Sequence, residues 1–120
     1  VIIPKRRSAG LTAVVAKTSA GAVSYIPVAR VANIPSLLKE LKKQGVWVFG
    51  TAADGTTDLY GADLKGPAAI VIGSEGSGMT RLVSESCDFL VSIPMKGRIS
   101  SLNASAAAAI LLYEAVRQRR

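Results

Sequence analysis

Ala68-Ala69-Ile70-Val71-Ile72-Gly73-Ser74-Glu75-Gly76-Ser77-Gly78-Met79 is the stretch on which the reading of this chain turns. Its first half is short and nearly all apolar, as in a strand buried at the centre of a parallel sheet. Its second half places three glycines at the carboxyl end of that strand. Open α/β sheets bind ligands there, and glycine lets backbone come close to a ligand or take positive φ. No Gly-Lys-Ser/Thr follows, so this is not a phosphate loop, and the glycine spacing is not the dinucleotide fingerprint. Taken alone, the glycines equally suit a plain turn. Glu75 is the unusual member: a carboxylate among glycines either meets ligand hydroxyls or amines, or caps a helix starting near Met79.

Outward from this stretch the chain alternates strands and helices. Towards the N-terminus, residues 1–3 form an apolar run ended by Pro4, and residues 5–10 a basic loop. A short helix is predicted over 11–19, with Leu11, Val14 and Val15 on one face, and a β-like segment over 24–28, interrupted by Pro27. The clearest helix begins at the N-cap Asn33 with Pro35 in its first turn. Leu37, Leu38 and Leu41 form its apolar stripe, Lys39, Lys42 and Lys43 its wet face, and Gly45 its end. A buried strand over 46–50, a turn at 54–57 and a brief strand or loop at 59–60 follow. Beyond the glycine loop come a short helix over 80–84, a strand over 89–93 stopped by Pro94, and a long helix over 101–119 with Ser100 or Ser101 as its cap. The pattern predicts one α/β domain spanning residues 1–120, with a mainly parallel sheet flanked by helices.

Composition narrows the chemistry. The 120 residues carry 15 Lys and Arg against 8 Asp and Glu, a net charge of +7. That balance suits a polyanion such as RNA or DNA, an anionic membrane, or simply a basic soluble surface. Histidine is absent, which removes Ser-His and Cys-His catalysis and His-based metal sites; no metal is expected. The single cysteine, Cys87, cannot form a disulfide within the chain, so a reducing, cytoplasmic setting is expected. Its place before an apolar strand suits a buried small hydrophobe better than a nucleophile. No apolar run is long enough to span a membrane. The chain starts on a strand-like run without Met, which leads to the expectation that it is a piece of a longer protein.

A second segment carries chemistry: Ser92-Ile93-Pro94-Met95-Lys96-Gly97-Arg98-Ile99-Ser100-Ser101-Leu102-Asn103-Ala104-Ser105. Ser101 and Asn103 put a hydroxyl and an amide at a helix start, where a polar or anionic group can be held. Helix capping alone also accounts for them. The alanine run 104–109 permits very close packing.

Together, Ile-Gly-Ser-Glu-Gly-Ser-Gly-Met at 72–79, Ile-Pro-Met at 93–95 and Ser-Ser-Leu-Asn-Ala-Ser at 100–105 resemble motifs two and three of the SpoU-type ribose 2′-O-methyltransferases. These belong to the knotted, TrmH-like SPOUT superfamily. Residues 1–5 and 48–52 resemble the family's earlier strands, so the resemblance covers essentially the whole chain. It is strongest to enzymes that methylate a guanosine ribose in 23S ribosomal RNA.

The resemblance implies a Rossmann-like α/β fold with a deep C-terminal trefoil knot, an exception to the near absence of knots. It implies S-adenosylmethionine as cofactor, bound by Thr51, Ala52, Gly73, Gly78, Ile93, Met95 and Leu102. It implies Glu75, Ser101 and Asn103 as catalytic residues, RNA as substrate, and a homodimer packed through the knot region. Lys5, Arg6, Arg7, Lys96 and Arg98 are the candidate RNA contacts, with Arg117, Arg119 and Arg120 as further phosphate contacts. The family's first motif, an Asn-x-Gly segment and an arginine that activates the 2′-hydroxyl, is expected before Val1, as is an N-terminal RNA-binding domain. On this reading the 120 residues keep the cofactor pocket and are a weak catalyst alone. Three other readings stand beside it: a tRNA ribose 2′-O-methyltransferase, a non-catalytic basic α/β RNA-binding module, and a nucleotide-binding enzyme read from the glycine loop alone. The last lacks a phosphate-gripping lysine.

Overall fold

A computed structural model of the chain describes residues 1–5, 10–73, 79–99 and 102–120. They fall into two compact units, Val1–Leu37 and Leu38–Arg120.

In the first unit, β1 (Ile2–Pro4) and β2 (Ala29–Val31) pair in parallel, with Ile2 opposite Ala29 and Pro4 opposite Val31. The Lys5 N–H extends the pairing by donating to Val31 O at 2.8 Å. Helix α1 (Ala13–Thr18) is capped by Thr12, whose Oγ1 accepts from the Val15 N–H. None of its residues is buried, and both Leu11 and Val14 of the expected apolar face are exposed. The strand expected over 24–28 is displaced. Ala22–Ser24 forms a 3-10 turn, and the strand begins only after Pro27, which has no N–H to give to a ladder.

Helix α2 (Ile34–Lys43) forms as its caps predict. Asn33 Oδ1 accepts the Ser36 N–H at 2.9 Å. At the other end Gly45 takes φ +88°, and the Val46 N–H returns to Leu41 O at 3.0 Å, closing the last turn. Leu38 is its buried residue.

The second unit holds a four-stranded sheet of β3 (Trp47–Thr51), β4 (Thr57–Asp58), β5 (Ala68–Val71) and β6 (Phe89–Ser92) in the order β4-β6-β3-β5. All three pairings are parallel. The most buried strand is β3, with Val48, Phe49 and Gly50 all buried. The apolar run 68–73 forms an edge rather than a central strand: β5 pairs only with β3 among the described residues and is half-buried throughout. An apolar run records which faces can be covered, not how many strands lie alongside.

The core gathers Phe49, Leu59, Ala62, Leu64, Val91 and Leu111, with Ile70, Ile72 and Ile93 packed against it. Leu59 enters it from a 3-10 turn, Leu59–Gly61, where a brief strand or loop was expected. Helix α3 (Arg81–Ser86) is capped by Thr80. Helix α4 (Ala104–Gln118) buries Leu111 and Glu114. Its N-cap is Asn103, one turn's reach from Ala106, rather than Ser100 or Ser101, which lie outside the described residues.

Candidate functional site

Parallel pairing brings the carboxyl ends of β3, β5 and β6 out on one side of the sheet. Thr51 and Ala52, then Gly73, then Ile93 and Met95 follow from those three ends. The register of β3 with β5 ends at Gly50 opposite Val71. Beyond it a side chain continues the link: Thr51 Oγ1 donates to Val71 O at 3.2 Å and accepts the Gly73 N–H at 3.4 Å. On the other flank of β3 the Ala52 N–H donates to Val91 O at 3.0 Å. The start of Gly73 is therefore held by Thr51, a tie that the sequence did not disclose.

Gly50 has a separate role. A β-carbon there would lie 2.6 Å from Cys87 Sγ and 2.9 Å from Met79 Cε, so only glycine lets these side chains lie against β3. The Cys87 thiol donates to Val83 O at 3.3 Å. Burial first, and Asp88 second, push its pKa up, which keeps it protonated and suits packing rather than nucleophilic attack.

Leu102 and Asn103 approach along a different path, as the start of α4. The C-terminal end of α4 binds residues 62–66, just before β5, so the helix runs back towards the amino ends of the strands. Its 15 residues span about 22 Å, which directs its start towards the carboxyl ends. Asn103 Oδ1 accepts both the Ala106 N–H at 2.8 Å and the Ser105 hydroxyl at 3.0 Å. Capping therefore occupies the oxygen and leaves the Nδ2 amide as the donor that can serve a ligand. An Asn immediately before the alanine run 104–109 was the available signal for this cap.

Around these groups apolar side chains stay open to solvent. Met95 and Leu102 are each 37% exposed, and Ile93 is half-buried. Lys96 and Arg98 are exposed on the segment after β6, and Lys5 is exposed in the first unit. Glu75, Gly78, Ser101, Arg6 and Arg7 lie outside the described residues. No cluster of three or more metal-ligating side chains occurs among the described residues.

At the basic end of α4, Arg117 and Arg119 also make hydrogen bonds within the chain. Glu114, 6% exposed, receives Arg117 Nε on Oε1 and Arg117 Nη2 on Oε2, both at 2.7 Å, and Gln118 Nε2 on Oε2 at 2.8 Å. These bonds, Arg117 before Gln118, hold its carboxyl down to about 2. Gln118 also accepts the Leu64 N–H at 2.7 Å and donates to Ala62 O at 2.8 Å. Arg119 donates to Leu64 O at 2.9 Å and to Gly66 O at 2.7 Å. A polar groove of about 390 Å³ lined by Tyr60, Asp63, Lys65, Arg117 and Gln118, among others, lies at this end. It holds none of the residues that the sequence singled out as a cofactor site.

Comparison with known proteins agrees with the fold and its motifs. Residues 1–113 match the SpoU rRNA Methylase family. The chain is 53% identical over 120 residues to the 23S rRNA (guanosine-2′-O-)-methyltransferase RlmB of Shewanella oneidensis, covering 100% of this chain and 49% of that protein. It is 55% identical over 119 residues to YacO of Bacillus subtilis, placed among TrmH-family tRNA/rRNA methyltransferases, covering 99% and 48%. The chain thus spans about half the length of the curated relatives it matches. The SpoU methyltransferase AviRb of Streptomyces viridochromogenes, solved in complex with the cofactor AdoMet, superposes with a TM-score of 0.88 at 32% identity, over 98% of this chain and 49% of that one. The TrmH/SpoU tRNA modifying enzyme of A. aeolicus gives 0.86 at 27% identity, over 99% and 61%. With the match running through 113 of its 120 residues, the chain belongs to the SpoU rRNA methylase family.

Proposed function

We propose that this chain is the cofactor-binding and catalytic part of an S-adenosylmethionine-dependent RNA ribose 2′-O-methyltransferase acting on a guanosine of 23S rRNA. The observation that carries the reading is the 53% identity to RlmB along all 120 residues. The tRNA/rRNA description of YacO, at 55% identity, supports the alternative of a tRNA substrate.

The residues at the strand carboxyl ends suit an adenosyl group. Uncovered apolar surface at Met95 and Leu102 offers a place for a flat ring, and the backbone carbonyls of Gly73 and Ile93 offer hydrogen-bond acceptors without a charged side chain. Bound S-adenosylmethionine supplies an electrophilic methyl on a sulfonium centre. The protein's task is to set a ribose 2′-hydroxyl in line with it, and orientation of this kind is worth roughly 7–11 kcal/mol. Asn103 serves that task as a donor through Nδ2, because Oδ1 is engaged in the cap. It is a positioning amide, not a base. Glu75 and Ser101 complete the proposed catalytic set on the strength of the motif resemblance, with Gly78 joining Ala52, Gly73, Ile93, Met95 and Leu102 as cofactor contacts and Thr51 supporting them from behind Gly73. Lys5, Arg6, Arg7, Lys96 and Arg98 are the proposed RNA contacts.

The deep trefoil knot and a homodimer are parts of the same proposal. The knot rests on the resemblance of the motifs to the SpoU family, to which the chain belongs. An uncovered apolar stripe on α4 supports the dimer: Leu112, Tyr113 and Val116 are exposed, Tyr113 at 73%.

Titration calorimetry with S-adenosylhomocysteine tests the central claim. Saturable one-site binding, not competed by ATP, is expected; absence of binding by the folded chain refutes it. Methylation of 23S rRNA against tRNA transcripts by the whole protein separates the two substrates.

A further inference from the structure

Gly50 and Thr51 are consecutive residues at the end of the most buried strand, and each meets one of the two residues that flank 74–78. Thr51 Oγ1 uses its proton on Val71 O and a lone pair on the Gly73 N–H. Gly50 gives Met79 and Cys87 the space that a β-carbon would fill. Cys87 is in turn fixed by its bond to Val83 O within the α3 end. The two tethers differ in kind, one a hydroxyl bridge and the other a close packing contact. Both originate from the same two residues of a strand whose neighbours on either side hold it in register.

We propose that Thr51 is a positioning residue for the cofactor site: its hydroxyl sets the backbone of Gly73, while Gly50 sets Met79, so that both Gly73 and Met79 are fixed to β3. Thr51 then acts on the ligand through Gly73 rather than by touching it. This assignment rests on the reading of Gly73 as a cofactor contact.

A threonine-to-valine change keeps shape and volume and removes only the hydroxyl, while serine keeps the hydroxyl. Thr51→Val is expected to weaken S-adenosylhomocysteine binding about 5- to 10-fold, the effect of losing one or two modest hydrogen bonds. Thr51→Ser is expected to stay within about 3-fold of the parent chain. Amide exchange read by NMR gives the direct measure: the Gly73 N–H should exchange faster in Thr51→Val and at the parent rate in Thr51→Ser. Equal weakening by both variants overturns the proposal. So does weaker binding in Thr51→Val with unchanged Gly73 exchange, which would mean that the hydroxyl touches the ligand itself. If the parent chain binds no S-adenosylhomocysteine, the site reading fails separately, and Gly73 exchange still decides whether the hydroxyl holds that backbone. Gly50→Ala probes the second tether. It should displace Met79 and lower affinity, and native affinity with the added methyl would remove Gly50 from the assignment. Thr51→Val, which adds no bulk, keeps the test decisive if Gly50→Ala fails to fold.

Discussion

The two ends of α4 are held in opposite ways. At its start one side chain, Asn103, caps the helix, and apolar Leu102 stays partly uncovered beside it. At its end Gln118 and Arg119 make four hydrogen bonds to Ala62, Leu64 and Gly66, and a buried carboxylate braces Arg117 and Gln118. The backbone of residues 62–66 thus finds helix side chains where a neighbouring strand would otherwise stand. The contrast separates two duties along one rigid rod. The end near the amino termini of the strands fixes the helix, and the end near the carboxyl termini keeps a donor and an apolar surface for something else.

The sharpest way to break this contrast is to empty the core beneath the braced end. Leu64 and Leu111 are wholly buried, and Leu64→Ala should cost about 2–5 kcal/mol in urea unfolding. Gln118→Ala comes next. It strips the Leu64 N–H and Ala62 O of their partners, and leaving such groups unsatisfied costs about 1–3 kcal/mol. Asn103→Ala should cost about 1 kcal/mol through the lost cap. Asn103→Asp is the more telling change: it keeps the cap, so the melting temperature should hold, while methyl transfer by the whole protein falls because the amide donor is gone. If Asn103→Asp keeps full activity, the start of α4 has only a capping role.

The last test concerns Glu114, whose pH response is confined to acid. Its folded pKa, about 2, lies below the ordinary 4.5, so the unfolded chain binds this proton more readily. The stability it contributes is complete above the ordinary value and drains away as pH falls from about 4.5 to about 2. Glu114→Gln should flatten that part of the acid-stability curve, as followed by thermal melts at stepped pH.

The capping signals of α2 translated directly into local structure. Asn33, Pro35 and Gly45 bound α2 because caps and positive-φ glycines act within a few residues. The run at 68–71 read correctly as a strand, but among the described residues it lies at an edge of its sheet rather than at the centre, since its neighbours are decided by chain crossings that the run does not encode. The strand β2, Ala29-Arg30-Val31, is too short for its alternation to stand out: among the described residues it pairs with one short partner and has little to bury. At the site, motif resemblance singled out Thr51, Gly73 and Asn103, but not what their atoms do. The Thr51 bridge to Val71 and Gly73 spans 20 and 22 residues, and the Gln118 bond to Leu64 spans 54. Contacts that remote leave no periodicity to read.

The bracing of residues 62–66 also has a consequence for synthesis. Emerging from the ribosome, Leu64 must wait 54 residues for Gln118 and 55 for Arg119. At roughly 5–20 residues per second, that interval is about 3–11 s. Until then this segment's amide and carbonyls have only water for partners, and the core leucine beside them lacks its lid. A nascent chain stalled a few residues short should therefore be a better target for proteases and chaperones than one released whole.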